Sequence, residues 1–155
     1  MTVRPVRLNN PGDIRIGQPW QGLCPPDQMT PAQRAETEFC VFISPTFGFR
    51  ALAMTLLTYY RKYKLKTVYS IISRWAPASE NDTKAYVDDV CGDIGATANQ
   101  PLNVEDFTVL SGLCKSISKH EAGGWFFDPI DLAAGVSMAL GTEPTPLTSS
   151  GPLVA

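Results

Sequence analysis

Apolar residues recur at helical spacing from position 44 onward, and before it they do not. Ser44 is a candidate N-cap and Pro45 suits a first helical position, so a helix is predicted over 45–64, with Phe47, Ala51, Met54, Leu57 and Tyr60 as its apolar stripe. Thr67 can cap a second helix in which Val68, Ile71, Ile72 and Trp75 share a face, and Pro77 stops it. Asn81 or Asp82 opens a third, with Tyr86, Val87, Val90, Cys91 and Ile94 on its buried side and Gly95 as its left-handed end. A fourth helix is capped by Asn103, with Glu105 and Asp106 near the positive end of its dipole. A fifth starts at Asp128 and Pro129 and reaches Leu140.

The first 43 positions read differently. Asn9, Asn10, Pro11 and Gly12 form a turn cluster, residues 14–17 and 39–43 read as two short strands, and a polar, Pro-rich loop occupies 25–31. The expected fold is mainly α, of the α+β kind: one domain over 1–140, with about five helices and a small N-terminal β-hairpin, or in its place a pair of extended segments laid across the helices. Residues 141–155, rich in Pro, Ser and Thr and without periodicity, are expected to form a surface-laid or mobile tail.

One residue breaks the pattern. Phe107, Leu110, Cys114 and Ile117 step by three and four along the fourth helix, and the next position of that stripe is Glu121, followed at once by Gly123 and Gly124. A carboxylate at the rim of an apolar stripe is partly desolvated, which raises its pKa toward that of a general acid. The competing reading is a solvated helix-end residue paired with Lys119 or Lys115. A negative charge near a helix C-terminus opposes the dipole, so the position has no evident structural benefit. His120 reads as a capping or supporting group rather than a base, with a Cys–His nucleophile pair as an open alternative.

The composition of the 155 residues is ordinary for a globular chain: 44% hydrophobic and 18% charged, with 13 basic against 15 acidic side chains. A net charge of −2 argues against nucleic-acid binding by counterion release and against a polybasic membrane anchor. No apolar run is long enough to span a bilayer, and the first residues lack the apolar centre of a secretory signal, so a soluble product is expected. Cys24, Cys40, Cys91 and Cys114 have neither zinc-knuckle nor dense-disulfide spacing, and His120 is the one histidine; no metal or cofactor is expected. Cys91 and Cys114 fall on apolar stripes and read as buried thiols, while a Cys24–Cys40 disulfide stays open.

Two resemblances rest on these residues. The segment KSISKHEAGGWFF resembles the glutamate-bearing helix end of goose-type lysozymes and lytic transglycosylases. Its place late in the chain resembles a circular permutation of that lysozyme-like domain. NNPGDIR, W-x-G at 20–22, F-x-x-F at 39–42, SPTFGFRA, YYRKY, RWAPASENDT and HEAGG, in that order, resemble small phage and prophage virion proteins. In that group the turn usually reads NNPGNIR and the acid motif HENG; here Asp13 and Ala122 stand instead.

The resemblance implies a phage-encoded muramidase or lytic transglycosylase with Glu121 as general acid. A virion-associated protein made in the host cytoplasm would then act on peptidoglycan glycan strands, beside other virion proteins and without nucleic acid or membrane as partners. Hydrolysis usually adds a second carboxylate, for which Asp13, Glu80 and Asp82 are candidates; without one, the sugar's own hydroxyl attacks and an anhydro product forms. Asn10, Asp13, Asn81, Tyr86 and Trp125 are the candidate sugar-binding groups, since amides pair with hydroxyl and N-acetyl groups and aromatic faces suit sugar rings. Each also has a structural use: a turn for Asn10, helix starts for Asn81 and Asp82, a core stripe for Tyr86. Trp20 and Trp75 read as core. The alternative is a non-catalytic virion structural protein on a lysozyme-like scaffold.

Overall fold

The computed structural model describes residues 2–142; the predicted tail lies outside the described residues, apart from its first two positions. Seven helices follow one another: α1 (Arg4–Arg7), α2 (Pro31–Arg34), α3 (Pro45–Arg61), α4 (Val68–Trp75), α5 (Thr83–Ile94), α6 (Phe107–Ala122) and α7 (Pro129–Leu140), with a single 3-10 turn at Pro26–Gln28. The last five are the five predicted helices. Their ends are set by the expected chemistry at most positions. Thr67 and Ser70 form a reciprocal capping box on α4, Asp82 accepts from Ala85 N–H to start α5, and Asp128 accepts from Ile130 N–H to start α7. Gly95 and Gly123 adopt left-handed φ values of 71° and 77° to close α5 and α6.

Three expectations at helix ends are corrected. Helix α3 stops at Arg61 rather than Lys64, because Lys64 has a left-handed φ of 59°. Helix α6 is capped by Asp106, which accepts from Val109 N–H; Asn103 instead makes a side-chain turn with Glu105 N–H one turn earlier. Ser44 holds the N-cap position of α3 without a side-chain hydrogen bond.

The expected N-terminal hairpin does not form. Two isolated antiparallel bridges, Arg15 with Phe39 and Leu23 with Phe42, replace it among the described residues. Residues 14–17 are only four long, and residues 39–43 divide their pairing between Arg15 and Leu23, so neither contact extends into a ladder. This third of the chain is held by scattered backbone hydrogen bonds, such as Cys40 N–H to the Ile14 carbonyl and Phe42 N–H to the Leu8 carbonyl, and by buried side chains. Asn10 is fully buried; its amide donates to the carbonyls of Ile14 (2.9 Å) and Cys40 (3.0 Å), and its oxygen accepts from Ile14 N–H (2.9 Å). We expect Asn10→Ala to cost about 2–3 kcal/mol in chemical denaturation, because the Cys40 carbonyl and the Ile14 N–H lose their partner while the Ile14 carbonyl keeps the Cys40 N–H. A loss under about 1 kcal/mol would show that this stitch is dispensable.

Helix α3 is the centre of the domain, packed by α7 along its length and by α4 and α6 at its flanks. Phe49, Leu52, Ala53, Leu56 and Leu57 are buried in the core with Ile71, Ile72, Leu110, Leu113, Ile117 and Val136. The buried face of α3 is therefore wider than the single predicted stripe, and Phe47, Met54 and Tyr60 lie at its margins. Contact on several sides blurs a one-sided pattern. All four cysteines are free thiols, which removes the Cys24–Cys40 disulfide; Cys114 is buried and Cys91 half-buried.

Candidate functional site

Glu121 sits on the last turn of α6, one residue before the buried Ala122 and two before the left-handed Gly123. The stripe leading to it is buried as predicted at Leu110, Cys114 and Ile117, whereas Phe107, its first predicted member, is exposed at the start of α6. The solvated alternative does not hold, because Lys119 pairs with Asp93 at 3.2 Å and Lys115 lies over the Trp125 ring.

The carboxylate is instead built into a short relay. Tyr86 O–H donates to Glu121 Oε2 at 2.8 Å, and Trp75 Nε1–H donates to the Tyr86 hydroxyl at 3.1 Å. The Tyr86 ring is stacked on His120, with centroids 3.6 Å apart, and His120 Nδ1 lies 3.5 Å from Asp89. Burial pushes the Glu121 pKa above the ordinary carboxylate value; the Tyr86 hydroxyl opposes that shift and the negative charge of Asp13 adds to it. Tyr86 is itself held well above its usual range, first by burial and then by the neighbouring carboxylate. Trp75 also favours the ionised form of Glu121, and Glu121 lines a cavity.

That cavity is open, of about 360 Å³, and polar. The helical body supplies Thr55, Tyr59, Trp75 and Glu121, and the irregular N-terminal segment supplies Arg4, Asp13, Ile14, Arg15 and Phe39, with Glu80 and Asn81 at the lip. Asp13 is clamped by Arg4 through Nε (2.9 Å) and Nη2 (2.5 Å), and its side chain is 5% exposed. Its backbone is left-handed at φ 52°, a conformation that Asn and Asp tolerate better than most residues, so either fits this turn. The Phe39 ring is held between the guanidinium groups of Arg4 (3.9 Å) and Arg15 (4.8 Å).

Glu121, Asp13 and Asn81, with Glu80, are thus brought to one cavity from positions far apart in the chain. The other predicted site residues are placed elsewhere. Asn10 is spent on the turn that carries Asp13, Tyr86 is buried behind Glu121, and Trp125 packs against Phe49 and Phe127. Asp82 is used as the α5 cap. Arg4, Arg15, Phe39 and Trp75 were not signalled as site residues. Trp75 was legible only as the last apolar position of its helix, and nothing in the local sequence marks Arg4.

The arrangement can hold a proton at Glu121 and hydrogen-bond a polyhydroxylated ligand from both walls. Asp13 is fixed by Arg4 as a charge-compensated pair on the opposite wall. We expect Tyr86→Phe to raise the Glu121 midpoint further, since the hydroxyl stabilises the ionised form, and to destabilise the fold by about 2 kcal/mol through the unpaired Trp75 N–H. A carboxyl-carbon NMR titration of Glu121 checks this; a midpoint that stays or falls would sink the relay.

No family model matches the chain. The chain is 38% identical over 108 residues to Protein P5 of Pseudoalteromonas phage PM2, a match covering 67% of this chain and 63% of that protein. The chain thus spans less than two thirds of the length of this relative, and it is similar over most of its own length to a phage protein.

Proposed function

We propose that the chain is a component of a phage virion, contributing to the particle as a folded helical module. The observation that carries this reading is the 38% identity to a phage protein over two thirds of the chain. Exposed apolar side chains outside the cavity, among them Ile16, Leu23, Ile43, Phe126 and Ile130, are suited to burial against neighbouring virion proteins. Quantitative mass spectrometry of purified particles tests it. Stoichiometric copies are expected, and their absence from particles of a phage that makes the protein would overturn it.

A second reading is favoured by the position of Glu121. A half-buried carboxyl with a raised pKa on a polar cavity supports a peptidoglycan-cleaving glycosidase on a lysozyme-like domain, acting on the cell wall from the particle. Glu121 would protonate the leaving oxygen. With Asp13 tied to Arg4, Glu80 is the cavity carboxylate left to assist a water in hydrolysis, and without its help the sugar's own hydroxyl attacks and gives an anhydro end. Muropeptide masses after digestion of sacculi separate the outcomes, since anhydro and reducing ends differ by one water. A chain present in particles but inert on several sacculi would leave the first reading standing and overturn the second.

A further inference from the structure

Net charge hides how the charges of this chain are distributed. Residues 39–79 hold six of the thirteen basic side chains and none of the fifteen acidic ones, so the remainder carries seven against fifteen. Folding concentrates the excess where α3 passes into α4. Arg61, Lys62, Lys64, Lys66 and Arg74 are all exposed there. Arg61 is paired with Glu105 at 2.6 Å, whereas the other four have no carboxylate partner among the described residues.

The fold holds these cations in place. Lys64, in its left-handed conformation, donates its ammonium to the Arg61 carbonyl at the end of α3. The Arg74 guanidinium lies 3.8 Å over the Tyr63 ring, and the Lys62 ammonium is 5.3 Å from the same ring. A guanidinium stacked on an aromatic face keeps its edge N–H groups free for a planar anion. Between Arg61 and Arg74 the exposed large side chains besides the cations are Tyr63 (41%) and Tyr69 (56%), with no exposed Leu, Ile, Phe or Trp among them. A bilayer-binding surface inserts such apolar groups. Ammonium, guanidinium and phenol groups instead offer charge and hydrogen bonds, which suits a phosphodiester backbone.

We propose that this turn is a nucleic-acid-binding surface, with Lys62, Lys64, Lys66 and Arg74 on the phosphates and the Tyr63 and Tyr69 hydroxyls beside them. It is independent of the reading of the Glu121 cavity. It also revises the expectation drawn from net charge, because counterion release depends on a local cluster and the acidic residues lie elsewhere.

Fluorescence anisotropy of the full chain with labelled random-sequence duplex DNA tests the proposal. Binding is expected at low salt, with log affinity falling against log salt at a slope of about −3 to −4 for four phosphates. Combined Lys62→Glu and Lys66→Glu should weaken binding by at least about tenfold, and Lys84→Glu, an exposed cation outside the cluster, should leave it within about twofold. A circular dichroism melt establishes that the double variant folds. If it does not, Arg74→Gln should lower the slope by about one. Absence of binding, a cluster variant that binds like wild type, an equal loss in Lys84→Glu, or capture by phosphatidylglycerol vesicles with none by DNA would each overturn the proposal.

Discussion

Gly135→Val is expected to leave little folded protein at 37 °C. A Cβ at Gly135 would meet the Thr46 carbonyl oxygen at 2.5 Å, Phe49 Cβ at 2.7 Å and Arg50 N at 2.8 Å. Two of these are backbone atoms of the central helix α3, which cannot move aside as a flexible side chain can. Relief would require α7 to lift off α3, along the most extensive helix pair of the domain. Overpacking costs typically 1–3 kcal/mol where side chains can adjust; with backbone on the other side, about 4 kcal/mol or more is expected. Gly92→Ala is the matched control. Nothing lies within 4 Å of its added Cβ, and the exposed helical site should gain about 0.5–1 kcal/mol. Denaturant midpoints for the two variants check both signs, and a Gly135→Val protein as stable as wild type would refute the close-packing account.

Glu121→Gln should act in opposite directions on stability and on any glycan cleavage. The folded chain holds the Glu121 proton more tightly than the unfolded chain, because burial disfavours the carboxylate. This group therefore favours folding fully at pH values below the ordinary carboxylate pKa, and its contribution is lost as pH rises through the raised value. As pH rises through that value the buried charge comes to work against the fold. Glutamine keeps the shape and an oxygen to accept from Tyr86, so the variant should melt a few degrees higher at pH 7, with the gap closing in acid. Lower melting at pH 7, or a gap unchanged by acid, would refute this. If the cavity cleaves peptidoglycan, the same change should reduce the rate by about 10²–10⁴, the usual contribution of a general acid. A more stable protein with less activity is the pattern of a residue kept for chemistry.

Most of the helical body was legible because its ends are written locally. Thr67, Asp82, Gly95, Asp128 and Pro129 each satisfy or terminate a helix with groups a few positions away. The two four-residue helices were missed for the converse reason. One turn has no periodicity and little stability of its own, although Thr30 and Gln33 around Pro31 form a capping box readable in retrospect. β-forming composition at 14–17 and 39–43 suggests a hairpin, whereas Asn10 and the bridges at Arg15 and Leu23 hold these segments without a ladder.

Within the cavity, Glu121 was visible as a polar residue in an apolar stripe. Arg4, Phe39 and the relay from Trp75 to Tyr86 were not, because each depends on partners 9 to 35 positions away. Tyr86 was placed on the right helix face but given a ligand role, since periodicity tells burial from exposure and not which buried hydroxyl meets which carboxylate.

The two walls of the cavity differ in how they would respond to heat or force. The wall from α3, α4 and α6 is backed by regular helical hydrogen bonds, while the opposite wall is held by scattered contacts: the buried Asn10 amide, the Arg4–Asp13 pair and two isolated bridges with a few backbone hydrogen bonds. Amide hydrogen exchange should therefore show the segment around residues 13–16 opening at a lower free energy than α3, as a separate cooperative unit. Such an opening would widen the cavity from one side while the Tyr86–Glu121 bond stays intact, giving a long polymer a lateral way in that needs no threading from an end.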